Sequence, residues 1–250
     1  MNDIRRPATA DVPPEEPSAR LRPRGLVDLR GRHDPPAVLL YPPGAVVVVS
    51  GLPGSGKSTL MRRWSACAAT VDPRVVHEAC QSVMPERLPY AVYRPWARLT
   101  YARWLRTEAR GGAPLLVHDC GSRSWMRRWL ARTAGRQGRE LHLVLLDVGV
   151  AEALAGQAVR GRRAPGRVFA KHRRGLGRLL GTLSAAAGAP GDRLPGAVLP
   201  VPDAVAEAAS VVLLDRTSRE HVAAVEFGSG TGRAGPEPGV TQPSASGERR

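Results

Sequence analysis

Aromatic side chains are scarce in this chain, with two phenylalanines and four tyrosines in 250 residues. Yet 42% of the residues are hydrophobic, so aliphatic side chains must fill any core. Cysteine is nearly as rare. Cys67, Cys80 and Cys120 have no metal-ligand spacing and cannot all pair, which excludes a disulfide scaffold and suits a reducing cytosol. No window approaches the roughly 18 apolar residues of a membrane helix, and the N-terminus has no apolar signal core. The expectation is a soluble, cytoplasmic chain with no membrane partner. Its length allows one ordinary domain with tails, or two small ones.

Lysine is the most conspicuous absence. Of 37 basic residues only Lys57 and Lys171 are lysines. Arginine usage of this kind, beside abundant Ala, Gly and Pro, has the look of coding bias, so the net charge of +15 is not by itself a binding surface. The excess is uneven, however: residues 123–178 hold 14 basic side chains against Glu140, Asp147 and Glu152, a net of +11. Arg123–Arg178 therefore reads either as a face for nucleic acid or another polyanion, or as a solvated arginine-rich surface.

What is present centres on residues 45–59, AVVVVSGLPGSGKST. Val46-Val47-Val48-Val49 has the length and β-branching of a buried strand. Gly51, Leu52, Pro53, Gly54, Ser55, Gly56, Lys57 and Ser58 then satisfy G-x-x-x-x-G-K-[ST], the phosphate-binding P-loop, with Thr59 and a helix following. Glycines let the backbone turn its N–H groups inward as an anion nest, and the helix adds its positive dipole end. Lys57 would meet the β- and γ-phosphates of ATP, and Ser58 would ligate Mg²⁺.

Around this motif the chain reads as strands alternating with helices. Residues 1–36, rich in proline and without an apolar period, read as a disordered or loosely attached arm, and residues 228–250 as a disordered tail. Between them residues 37–227 form the P-loop domain. Residues 74–77 read as a second strand, 114–119 as a third, 140–147 as a fourth and 210–215 as a fifth. Helices are expected over 95–110, from Ser124, over 151–159, along Val168–Leu179 and from a Ser218 cap to about Phe227. Residues 81–93 and 181–202 read as irregular. The fold class is α/β: a parallel, about five-stranded sheet with helices on both faces. Ligands bind such sheets beyond the carboxyl ends of the strands, which singles out Gly51–Ser58, His77–Glu78, Asp119 and Asp147. Asp119 is the favoured acid to support Mg²⁺, with Asp147 its competitor. Arg160, Arg162 and Arg163 lie in a basic loop that reads either as a lid whose guanidiniums would neutralise charge on a transferred phosphoryl group or as a solvated basic loop.

Taken together, YPPGAVVVVSGLPGSGKSTLMRRW, YRPWARLTYARWL, LLVHDCGSRSWMRRWLARTAGRQGRELHLVLLDV and RGRRAPGRVFAKH resemble the P-loop ATP-binding domains related to polynucleotide kinase and zeta toxin, often labelled AAA-family. The resemblance covers residues 41–227. It implies a P-loop nucleoside-triphosphate fold, ATP·Mg²⁺ as ligand, phosphoryl transfer to a hydroxyl, Asp119 as the acid after the third strand and Arg160–Arg163 as the lid. Such kinases place an aspartate after the second strand to accept the acceptor's proton. In the expected position stands VVHEAC, where Glu78 or His77 would have to substitute. Three functions follow: a kinase or ATPase acting on an unknown acceptor, a nucleotide-binding regulatory module without efficient transfer, or an arginine-rich nucleic-acid-binding protein.

Overall fold

The computed structural model describes residues 20–85, 88–119, 123–159, 161, 164–188 and 198–228. Its centre is the valine run: β4, Val46–Gly51, is buried at every position. On one side it pairs with β6 (Leu115–His118), which pairs with β5 (Ala69–Val71). On the other lie β7 (Leu141–Leu146), β8 (Ser210–Leu214) and β2 (Gly25–Asp28). The order is β2-β8-β7-β4-β6-β5, and every pairing is parallel.

Alternation along the strands builds two cores. Val46 and Val48 belong to the core shared with α3 (Tyr90–Arg110), α4 (Ser124–Gly135) and α6 (Gly166–Ala187). Val47 and Val49 face α1 (Lys57–Trp64) through Leu60, Met61 and Trp64. This second face is also covered by a small parallel sheet, with β3 (Val38–Tyr41) between β1 (Arg20–Leu21) and β9 (Ala224–Phe227). The aliphatic core expected from the scarcity of aromatics is there, and a six-stranded sheet replaces the expected five.

Several boundaries differ from the sequence reading. Residues 74–77 are not a strand: α2 spans Pro73–Val83, and the second strand of the motif region is β5, just before it. Asp72 caps α2 by accepting from the Arg74 N–H, Pro73 occupies the first turn, and Val76 and Cys80 make a buried stripe one turn apart. The β-branching of Val75 and Val76 favours a strand, but the cap and stripe prevail. Helix α3 begins at Tyr90, ahead of Pro95. Helix α6 continues through Ala187, into the stretch expected to be irregular.

The N-terminal boundary at residue 36 also falls too late. Gly25–Asp28 pairs in register with Ser210–Leu213, and Leu26 is a core residue, so part of the expected arm is an edge strand of the sheet. The last helix, α7 (Arg216–His221), is capped by Asp215 rather than Ser218. Asp215 accepts from the Ser218 N–H at 2.8 Å while the Ser218 hydroxyl accepts from the Asp215 N–H at 2.9 Å.

Candidate active site

The segment between β4 and α1 is a left-handed cradle. Gly54 and Gly56 have φ of 94° and 87°, which only glycine adopts without strain. A Cβ on Gly54 would fall 1.9 Å from the Ala153 carbonyl oxygen, so α5 (Val150–Ala158) presses directly on the loop. From the other side Gly156 has no room either, its Cβ falling 2.3 Å from the Gly54 carbonyl oxygen. Gln157, buried on the same helix, donates to the Pro53 carbonyl at 3.0 Å and accepts from the Ala164 N–H at 2.7 Å. It thereby ties the loop to the far side of the expected lid. Arg219 of α7 donates to the Ser55 carbonyl at 2.7 Å and pairs with Glu152 of α5. Nothing in the sequence pattern marks Gln157 or Arg219 as phosphate-loop partners, because both contacts join segments far apart in the chain.

Lys57 is 4% exposed at the first turn of α1, its ammonium donating to the Gly51 and Leu52 carbonyls at 2.8 and 2.7 Å. Ser58 donates from its hydroxyl to the Asp72 carboxylate at 3.2 Å. That carboxylate belongs to the residue directly after β5, so an aspartate does follow the strand that precedes VVHEAC. The D-P pair opening an apolar 76, 80, 83 stripe was its signal in the sequence. His118, the last residue of β6, has its ring nitrogen 3.9 Å from Asp72. Burial and then the charge of Lys57 pull His118 down to about 4, against the pull of Asp72, so the ring is neutral at neutral pH.

Asp119 follows β6, buried, its N–H donating to the Val49 carbonyl beside the phosphate loop. Asp147, its competitor, follows β7 and is bonded instead to Arg30, which also clasps Asp28. Asp72 and Asp119 thus share the β5–β6 side of the P-loop, while Asp147 lies on the other side, tied into the N-terminal segment. Glu78 and His77 ride on α2. Glu78 is exposed, and the His77 ring lies tilted at 52° to that of Tyr93, their centroids 6.4 Å apart. Arg160, Arg162 and Arg163 lie outside the described residues.

Beside Gly54, Gly56 and Thr59 opens a cavity of about 460 Å³, walled by α5 and by Arg216, Arg219 and Glu220 of α7. The basic stretch 123–178 is partly internal. Arg127 is buried against Glu207 at 2.7 Å, and Arg139 is buried with its guanidinium on the carbonyls of Gly44, Ala109 and Ala113. Among the described residues no group of three or more His, Cys, Asp or Glu side chains could hold a metal, and no helix is long and apolar enough to cross a membrane.

The chain is similar to several solved structures. A gluconokinase from Sinorhizobium meliloti 1021 shares 18% identity over 73% of this chain and 91% of that one, with a TM-score of 0.41. An APS kinase from Mycobacterium tuberculosis, in complex with AMPPNP and APS, shares 16% over 72% and 94%, with a TM-score of 0.36. A chain of the PezAT toxin-antitoxin system of Streptococcus pneumoniae shares 14% identity over 56% of this chain, which covers only 64% of that chain's length, with a TM-score of 0.40. No curated protein matches. A family model described as AAA domain matches residues 46–179, just over half of the sequence, and the chain belongs to that AAA domain family.

Proposed function

We propose that this protein binds ATP with Mg²⁺ and transfers the γ-phosphoryl group to a hydroxyl acceptor. The observation that carries the reading is the Ser58–Asp72 pair at the mouth of the P-loop: a hydroxyl on the first turn of α1, 3.2 Å from a carboxylate at the end of β5. Asp72 stands there as a carboxylate able to take up a proton, while the Ser58 hydroxyl and the Asp119 carboxylate, with no all-protein cage, are donors of the kind that suit Mg²⁺, which keeps waters and phosphate oxygens as its other ligands. The cradle suits an anion too, since the positive φ of Gly54 and Gly56 is the backbone conformation from which an N–H nest is built.

When bound, ATP·Mg²⁺ supplies the activated phosphoryl group and the charge that neutralises it. The chain's own residues do the rest. Inward N–H groups of 51–58 hold the phosphates, and Lys57 exchanges its two carbonyl partners for phosphate oxygens. Ser58 and Asp119 are the residues that would hold the metal. Asp72 accepts the acceptor's proton, the role for which Glu78 or His77 was the sequence-based candidate. The 460 Å³ cavity beside Gly56, with Arg219 in its wall, would receive the base of the nucleotide. Arg160 and Arg163, outside the described residues, would neutralise charge on the transferred group.

The alternative of a regulatory module rested on a missing carboxylate after the second strand; Asp72, directly after β5, supports the transfer reading instead. The test is ADP formation from MgATP with and without mixtures of hydroxyl acceptors. Turnover above the Lys57→Ala control is expected; turnover equal to that control under every condition overturns the proposal.

A further inference from the structure

A second cavity, about 510 Å³, lies between α3 and α4. One wall is a single helical face, with Arg98, Tyr101, Leu105 and Arg106 at spacings of three, four and one. The other wall is Trp125, Met126 and Trp129 of α4, and Arg123 closes the rim at the head of that helix. Four features of this cleft call for a ligand. Its volume is that of a small-molecule site rather than a packing defect. Three aromatic rings converge on it in a chain that has few. Trp125 is 61% exposed, so its indole is held at the mouth instead of in the core. Finally, the cleft carries three guanidiniums and no acidic lining residue, and among the described residues none of Arg98, Arg106 and Arg123 has an ion pair.

Indole and phenol faces select a flat π-system, and unpaired guanidiniums select an anion while stacking on the same rings. The cleft also adjoins the phosphate end of the molecule. Arg123 stands four residues after Asp119, so their Cα atoms lie at most about 14 Å apart.

We infer that the α3–α4 cleft binds a flat aromatic ring carrying an anionic group, and that this molecule is the phosphoryl acceptor. The binding half stands on the cleft alone; the acceptor half rests on the kinase reading above. In the transfer, the ligand's hydroxyl oxygen bonds to phosphorus as the bond to the leaving diphosphate breaks, and its proton passes to Asp72. A nucleoside monophosphate and an aromatic carboxylate share the required chemistry, and the test separates them.

The test is calorimetric titration of the full chain with 6-hydroxy-2-naphthoate, with neutral 2-naphthol and with uridine 5′-monophosphate, each with and without Mg²⁺ and AMPPNP. One or both anions should bind, and 6-hydroxy-2-naphthoate roughly tenfold or more tighter than 2-naphthol. Trp125→Ala should weaken the naphthalene ligands by roughly fivefold or more. The double variant Arg98→Gln/Arg106→Gln should weaken the anions by about tenfold and leave 2-naphthol unchanged. All three positions are exposed, so neither variant opens the core. The tighter anion identifies the ligand class. Failure of both anions to bind, equal binding of 2-naphthol, or variants that bind like wild type overturn the inference. An anion that binds without stimulating ADP formation, in protein that turns over MgATP above the Lys57→Ala control, removes the acceptor role alone. Binding in protein with no such turnover leaves the cleft and sinks the kinase reading.

Discussion

Replacing Asp72 separates its two duties. One carboxylate oxygen accepts from the Arg74 N–H at 2.9 Å and caps α2; the other accepts from the Ser58 hydroxyl at 3.2 Å. Asparagine keeps an acceptor for the cap but loses the charge and the proton affinity. Alanine loses everything. Loss of an N-cap costs about 0.5–2 kcal/mol. In a protein of this size each kcal/mol lowers Tm by roughly 2–4 °C. Asp72→Ala should therefore melt about 1–8 °C below wild type, and Asp72→Asn closer to wild type than Asp72→Ala. Loss of a positioned base costs about 10²–10⁴-fold in rate. Both variants should lose that much kcat for ADP formation, with KM for ATP moving less than about threefold because proton transfer belongs to the transition state. Thermal melts and a coupled ADP assay on the same preparations check both halves. An Asp72→Asn protein with wild-type kcat would refute Asp72 as the base; an Asp72→Ala protein with unchanged Tm would refute the cap.

Three further outcomes follow. Gly156→Ala should weaken ATP binding by roughly tenfold or more, although the residue is remote from the motif in sequence, because its Cβ would fall 2.3 Å from the Gly54 carbonyl oxygen; calorimetry with AMPPNP checks it, and wild-type affinity would contradict the contact. Burial holds His142 and His118 at about 4, well below the 6.5 they have when unfolded. The unfolded chain thus takes up more protons between those values, and stability is full above pH 6.5 and falls as the pH drops toward 4. Each histidine contributes up to about 1.4 kcal/mol per pH unit in that window. Urea midpoints at pH 7 and 5 should show the loss. His142→Asn, which keeps a partner for the Ser210 hydroxyl 2.8 Å away, should show a shallower slope; an unchanged slope contradicts the assignment. Arg219→Ala should weaken ATP binding by a few-fold, about 1 kcal/mol for the hydrogen bond to the Ser55 carbonyl, read by the same calorimetry; no change would show that α7 is indifferent to the loop.

The heart of this molecule was legible because its signals are local. The valine run, the glycine turn and the Lys57–Ser58 helix start all lie within residues 45–59, and the strand ending before Asp119 reads from four apolar residues. Asp72 was missed for the opposite reason. Its strand is Ala69-Thr70-Val71, too short and too small-sided to stand out, while Val75 and Val76 imitate a strand inside a helix. The N-terminal strands were hidden by prolines and arginines around Gly25–Asp28, whose place is set by its partner Ser210–Leu213. Gln157, Arg219 and the α3–α4 cleft depend on which segments meet in space, and no periodicity records that. Arg127 and Arg139 show why charge counts mislead: two members of the basic stretch are buried structural donors.

The most direct test of the whole account is calorimetric titration of the full chain with AMPPNP in the presence of Mg²⁺, wild type beside Lys57→Ala. Saturable binding by the wild type that Lys57→Ala weakens by roughly a hundredfold or more is the result expected of a cradle completed by that ammonium. Absence of binding at millimolar nucleotide, or equal binding by both proteins, would contradict it.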